Sequence, residues 1–179
     1  MTSLESKVTS KTETLNAEDI LRYLEKENWN TGYDLAVSEF CPYQESRRID
    51  LFYFRRWDRQ TRGYEIKVTR SDFLQDKKWQ NYLKFCTWFS FVAPKGVIKL
   101  DELPDNIGLV EIEVIELDET DWRHKGNKLT EEEIQYWLEH KVVRRPKKLR
   151  EKIDEAEYTR LLEGLLYKLI HKQENIIKA

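Results

Sequence analysis

The chain has 179 residues and is 40% apolar, with 6 Trp, 9 Tyr and 7 Phe, which suits one packed domain and excludes a disordered chain. Its 31 basic and 33 acidic residues nearly cancel, so any case for nucleic-acid binding must come from where the charges sit, not from their sum. Cys41 and Cys86 make no C-x-x-C pair, and His124, His140 and His171 lack ligand spacing, which argues against zinc; the short apolar runs argue against a membrane span or a signal peptide, so a cytoplasmic protein is expected.

Residues 1–14 are rich in Ser and Thr and nearly free of apolar side chains, as a mobile arm would be. A helix is expected to start at the N-cap Asn16 and run through AEDILRYLEKEN, burying Ile20, Leu21 and Leu24. An edge strand over 33–40 follows and stops at Pro42. Then comes a hairpin. Ile49–Phe54 and Tyr64–Thr69 are rich in strand formers, and the polar stretch 55–63 ends in Gly63. Closing the hairpin over that whole loop sets Asp50 near Lys67. Alternation puts Glu65, Lys67 and Thr69 on one face and Tyr64, Ile66 and Val68 on the other.

Ser71 is expected to cap a second helix whose inner face is Phe73, Leu74, Trp79, Tyr82, Leu83 and Cys86. Lys77 and Lys78 on that helix either reach toward phosphates or form an ordinary exposed pair. A short strand over 87–93 and a longer one over 107–117 come next. The stretch 130–140 has a capping box, Thr130 with Glu133, and predicts a helix. A basic linker around Pro146 leads to a last helix, about 151–172, whose apolar stripe from Ile153 to Ile170 finishes the core or serves a homodimer.

Chemistry concentrates in the hairpin. Asp50 and the run Glu65-Ile66-Lys67 bring two carboxylates and one ammonium to a sheet that is otherwise apolar. Close carboxylates repel, and one takes up a proton unless a cation holds both ionised. Mg²⁺ or Mn²⁺ suits such a site, because a hard divalent ion is content with one or two carboxylates, waters and phosphate oxygens. The alternative is a solvated Asp–Lys cross-strand pair worth about a few tenths of a kcal/mol. The charge pattern favours a phosphodiester partner. Eight basic residues stand against three acidic ones in 47–70, and seven against one in 141–152, whereas 101–121 has nine acidic residues and no basic one. Arg55, Arg56, Arg59, Arg62 and Arg70, with Lys77 and Lys78, and then Arg144, Arg145, Lys147 and Lys148, are the candidate DNA contacts.

A set of short motifs sharpens this reading: Glu39 in VSEF, Arg48-x-Asp50, Glu65-Ile66-Lys67, Ser71-Asp72-Phe73, Asp76-Lys77-x-Trp79-x-x-Tyr82, Cys86, Phe91-Val92-Ala93-Pro94 and Gly108-Leu109-Val110. Together they resemble the PD-(D/E)XK nuclease superfamily and, within it, the MmcB-type DNA-repair nucleases. The likeness covers residues 16–113 and departs at Thr87, where that family usually carries an acidic residue. It implies an α/β (α+β) fold: a restriction-endonuclease-like core over 15–118, a mixed sheet flanked by helices, with 119–179 as a C-terminal helical extension. The activity it implies is that of a metal-dependent DNA endonuclease. Asp50 and Glu65 would bind Mg²⁺ or Mn²⁺ with the backbone carbonyl of Ile66, and Lys67 would position or polarise the attacking water. A glutamate from the first helix would join the metal site, Glu18 or else Glu25 or Glu27. Glu39 would support a ligand or pair with Arg48. The competing expectation is a catalytically silent nucleic-acid-binding or partner protein on the same scaffold.

Overall fold

The computed structural model describes residues 15–27, 32–46, 48–116 and 136–177; the expected arm 1–14 lies outside them. Six strands form one sheet in chain order: β1 (Leu35–Phe40), β2 (Ile49–Arg55), β3 (Gln60–Ile66), β4 (Trp88–Pro94), β5 (Gly108–Glu116) and β6 (Tyr136–Arg144). The first three are joined by short turns and are therefore antiparallel. β3 to β4 and β4 to β5 are parallel, and such pairs need crossovers. The first crossover contains helix α2 (Arg70–Gln75) and a 3₁₀ segment, Trp79–Phe85. β6 closes the sheet antiparallel to β5. With helices α1 (Ala17–Glu27) and α3 (Glu155–Ile177) this is the expected mixed sheet flanked by helices, ending in a helix. Among the described residues no helix is long and apolar enough to cross a membrane.

Strand alternation gives the sheet two apolar faces with different covers. One carries Leu51, Tyr53, Tyr64, Ile66, Val92 and Val110, on which α1 sets Ile20 and Leu24. Asn16 caps α1 as expected, its Oδ1 accepting the Asp19 N–H at 2.9 Å. The other face carries Phe52, Phe54, Phe89 and Phe91, covered by Trp79, Tyr82 and Phe85 of the crossover and by Ile153 and Leu161. Trp79 stacks on Phe89 and meets Phe91 edge-on, with centroids 5.9 and 5.3 Å apart. These aromatics are core, as the helical spacing suggested.

Five expectations need correction. The hairpin pairs Leu51 with Tyr64 and Arg55 with Gln60, so its turn is only Arg56–Arg59, and continuing the register sets Asp50 opposite Glu65, not Lys67. Gly63 does not end the loop; it lies inside β3, where a Cβ would come within 2.7 Å of Cys86 Sγ and 3.1 Å of Phe89. The expected second helix is broken. Its cap is Thr69, whose hydroxyl accepts the Asp72 N–H, and it ends at Asp76, which draws its own carboxylate to the Lys78 N–H. The expected helix 130–140 is a strand from Tyr136 onward, because β5 offers an open edge to it; 130–135 lie outside the described residues. The C-terminal helix starts at Glu155, because Asp154 caps it through the Glu157 N–H at 3.0 Å. Its apolar stripe divides: Leu161 is buried, while Leu162, Leu166, Leu169 and Ile170 are exposed.

Candidate functional site

Asp50 opens β2 and Glu65 nearly closes β3, so the two carboxylates meet at one end of adjacent strands. Both lie on the aromatic face, opposite the one α1 covers. The Ile66 N–H, past the last β2–β3 pair at Leu51–Tyr64, donates to Asp50 Oδ2 at 2.6 Å. A residue's N–H and C=O leave a strand on the same side, so the Ile66 carbonyl also opens toward Asp50. Lys67 follows the strand, its own N–H donating to the Val92 carbonyl at 2.9 Å. That bond fixes its backbone and turns its side chain back over Glu65.

The ammonium is clamped. Lys67 Nζ lies 3.0 Å from Glu65 Oε1 and 2.8 Å from Asp76 Oδ2, with Asp72 Oδ1 at 3.9 Å. The Lys67 and Glu65 side chains are each 8% exposed and that of Asp76 is 13% exposed. This is a nearly dry cluster with one cation among several carboxylates. This charge balance shifts the acidity of each group. Burial, then the Asp50 charge, pushes the Glu65 carboxyl up to about 8 despite Lys67. Burial pushes Asp50 up to about 6, with Glu39 adding to the rise and the Ile66 N–H and Lys67 opposing it. Asp76 is held below its usual value by Lys67 and backbone N–H donors, which overcome its partial burial. Lys67 is held above its usual value by its bonds to Asp76 and Glu65, so it is an ammonium throughout the neutral range.

One atom is left over. Glu65 Oε2 is buried and has no hydrogen-bond partner among the described residues. An acceptor buried without a donor is costly, and a cation would satisfy it. Asp50, Glu65 Oε2 and the Ile66 carbonyl make a donor set of hard oxygens, the type that Mg²⁺ or Mn²⁺ prefers. Among the described residues no three His, Cys, Asp or Glu side chains gather as a ready cage, so water and substrate oxygens would complete the shell.

The remaining candidates scatter. Glu18 pairs with Arg22 along α1, and its helix packs on the opposite face, so it does not join the cluster; Glu25 is an exposed residue of that same helix. Glu39 pairs with Arg48 at 2.5 Å, an exposed contact. Its backbone is unusual, with φ 46° inside β1, between the pairs Ser38–Leu51 and Phe40–Ile49 that place it beside Asp50. Lys168 of α3 donates to the Ser38 carbonyl and, at 3.2 Å, to that of Glu39.

The basic residues divide by position. The hairpin turn lies at the far end of β2 and β3 from Asp50 and Glu65, about 17 Å away at about 3.4 Å per residue. There Arg55 is locked by Asp58 and the Tyr33 and Trp57 rings, Arg56 pairs with Asp34, and Arg59 pairs with Glu155 over Tyr158. Arg62 lies over Tyr33 and Trp88 on the face opposite Glu65. Arg144 binds the carbonyls of Leu103, Pro104 and Ile107, and Lys148 pairs with Glu151. None of these adjoins the carboxylates. Arg70, paired with Glu102, and the exposed Lys77 and Lys78 flank α2 and Asp76 and are the basic residues at the right end. Sequence reasoning passed over Asp76 as a functional residue; the signal was its place in the motif after Ser71-Asp72-Phe73.

No family model matches the chain, and no curated protein matches it. A solved structure of a protein of unknown function from Silicibacter pomeroyi is similar, with a TM-score of 0.54 at 20% identity over 88% of this chain and 85% of that one. The likeness bears on the fold alone.

Proposed function

We propose that this protein is a cytoplasmic, divalent-metal-dependent deoxyribonuclease of the PD-(D/E)XK kind, resembling the MmcB-type enzymes. The observation that carries the proposal is the buried, unpartnered Oε2 of Glu65 beside Asp50 and the clamped Lys67. Asp50, Glu65 and the Ile66 carbonyl would hold Mg²⁺ or Mn²⁺. Such an ion, when bound, supplies Lewis acidity to a phosphoryl oxygen and makes water a better nucleophile. Hydrolysis adds water to phosphorus and breaks one P–O ester bond. The chain's own part is to hold charge and geometry. Lys67 stays protonated, so its role is to stabilise negative charge growing on the phosphate, not to accept a proton. Asp76 and Glu65 fix its ammonium before substrate arrives, which spares reorganisation during reaction. Lys77 and Lys78, exposed beside Asp76, would meet a DNA backbone. Both cysteines are free thiols, which suits a reducing compartment.

The test is cleavage of single-stranded, duplex and branched DNA with Mg²⁺, with Mn²⁺ and with EDTA, by wild type and Asp50→Asn. Cleavage by wild type alone, abolished by EDTA, is expected. Binding without cleavage on every substrate would favour the silent scaffold instead.

A further inference from the structure

α1 has 11 residues, about 16 Å of helix, whereas six strands about 4.8 Å apart make a sheet about 24 Å wide. The helix packs into one cluster with β2 to β5, where Val110 and Ile112 are buried, and reaches β6 through Tyr23 at His140. Beyond the helix, where β5 begins and β6 ends, a cleft of about 450 Å³ lies on this face. Its walls include Tyr64, Val110, Val142 and Pro146; its charged lining is Arg62, Arg144 and Arg145 beside His140, and among the described residues no carboxylate lines it. Side chains two apart share a face, so Arg62 and Tyr64 point away from Glu65, and a strand seated on the carboxylate cluster would not fill this cleft.

The cleft is built, not incidental. At Gly108 a Cβ would come within 2.3 Å of Ser90 Oγ and 2.8 Å of Pro146 Cδ, so the glycine is what lets the chain after β6 fold down onto the rim. Arg144 is immobilised by three carbonyls, with Asp105 no nearer than 3.9 Å and itself exposed. The rings of Tyr33 and Trp88 hold Arg62. Tyr23 of α1 bonds His140 Nδ1 at 2.7 Å. Arg145, by contrast, is exposed and has no ion pair among the described residues. Three guanidiniums thus gather at one apolar hollow, and guanidinium geometry suits phosphate.

We infer that this cleft binds a phosphate monoester carrying a flat apolar group, a nucleotide, at a place separate from the carboxylate cluster. Its volume is in the usual range for a small ligand. Arg145 would take the phosphate, with the charges of Arg62 and Arg144 behind it, and the Val110, Val142 and Tyr64 wall the base. The nucleotide could be free or part of a strand.

The experiment is calorimetric titration of the whole protein with dAMP, deoxyadenosine, inorganic phosphate and a 5′-phosphorylated tetranucleotide. Saturable dAMP binding is expected, with deoxyadenosine weaker by about tenfold or more. Arg145→Glu should weaken both dAMP and phosphate by about tenfold or more. Val142→Trp fills the hollow from an already exposed position and should weaken dAMP while sparing inorganic phosphate. Asp50→Asn should leave dAMP binding unchanged, so a failed nuclease reading would not decide this result. A tetranucleotide that binds tighter than dAMP and keeps the Val142→Trp sensitivity identifies a strand as the source; equal or weaker binding identifies a free nucleotide. The inference is overturned if dAMP does not saturate, if deoxyadenosine binds as well, or if neither variant changes the affinity.

Discussion

The two faces of one sheet solve opposite charge problems. On the aromatic face, Asp50, Glu65 and Asp76 share a single ammonium in a nearly dry cluster, and one carboxylate oxygen is left bare. On the other, Arg62, Arg144 and Arg145 surround a hollow with no acidic residue among the described residues of its lining. Among the described residues the first is short of positive charge and suits a cation; the second is short of negative charge and suits an anion. What separates them is alternation along β3, where Arg62 and Tyr64 face one way and Glu65 the other. A short α1 does the rest, covering only part of its face.

The largest expected effect is on chemistry at the first site. Lys67→Met keeps the buried stem and removes the charge. It should lower single-turnover cleavage by about 10²–10³-fold, roughly 3–4 kcal/mol, with DNA affinity in Ca²⁺ little changed. Equal cleavage rates in the two proteins would leave Lys67 a structural partner of Asp76.

A smaller loss is expected in the packing behind the site. Gly63→Ala forces a methyl against Cys86 Sγ at 2.7 Å and the Phe89 ring at 3.1 Å. Overpacking of this kind costs about 1–3 kcal/mol, measured by urea denaturation. No loss would mean that β3 can move away from the 3₁₀ segment.

The pH response of the metal-free protein distinguishes the anionic cluster from an ordinary surface ion pair. Glu65 and Asp50 stand at about 8 and about 6, above ordinary values of 4.5 and 3.8. Between those limits the unfolded chain has released protons that the folded one keeps. Stability is therefore greatest at the acid end of the window and is lost as pH rises through it. Denaturation in EDTA should give lower stability at pH 8 than at pH 5.5, and saturating Mn²⁺ should reduce the difference. A rise in stability over that interval would show that carboxylates favoured in their ionised form dominate.

The smallest effect belongs to Glu39. Its pair with Arg48 is exposed, so Glu39→Gln should change stability by at most about 1 kcal/mol. Its metal response should match that of wild type; a lost response would bring Glu39 into the ligand set.

Strands β1 to β5 and the clustering of Asp50, Glu65 and Lys67 were legible because β-branched and aromatic runs and the charged residues within them are local signals. The register was not. It depends on Gly63 fitting against Cys86 and Phe89, a contact between distant segments. β6 was read as a helix because its upstream glutamates and capping box favour one, yet pairing with β5 decides its conformation. The break at Asp76 was hidden for a related reason: its carboxylate turns to Lys67 and the Lys78 N–H, a tertiary choice that helical spacing cannot reveal. Thr87, where the resembled family carries an acid, accepts the Thr61 N–H through its hydroxyl at 3.1 Å in a fully buried position, a place where an ionised carboxylate would be costly.

The central claim is that Asp50 and Glu65 hold a divalent cation in the folded protein. Thermal denaturation across a Mn²⁺ titration tests it most directly, for wild type and Asp50→Asn side by side. The expected result is a melting temperature that climbs with Mn²⁺ in wild type, as it must for a ligand bound only by the folded state, and stays flat in Asp50→Asn. A flat wild type, or an equal climb in both proteins, would contradict it.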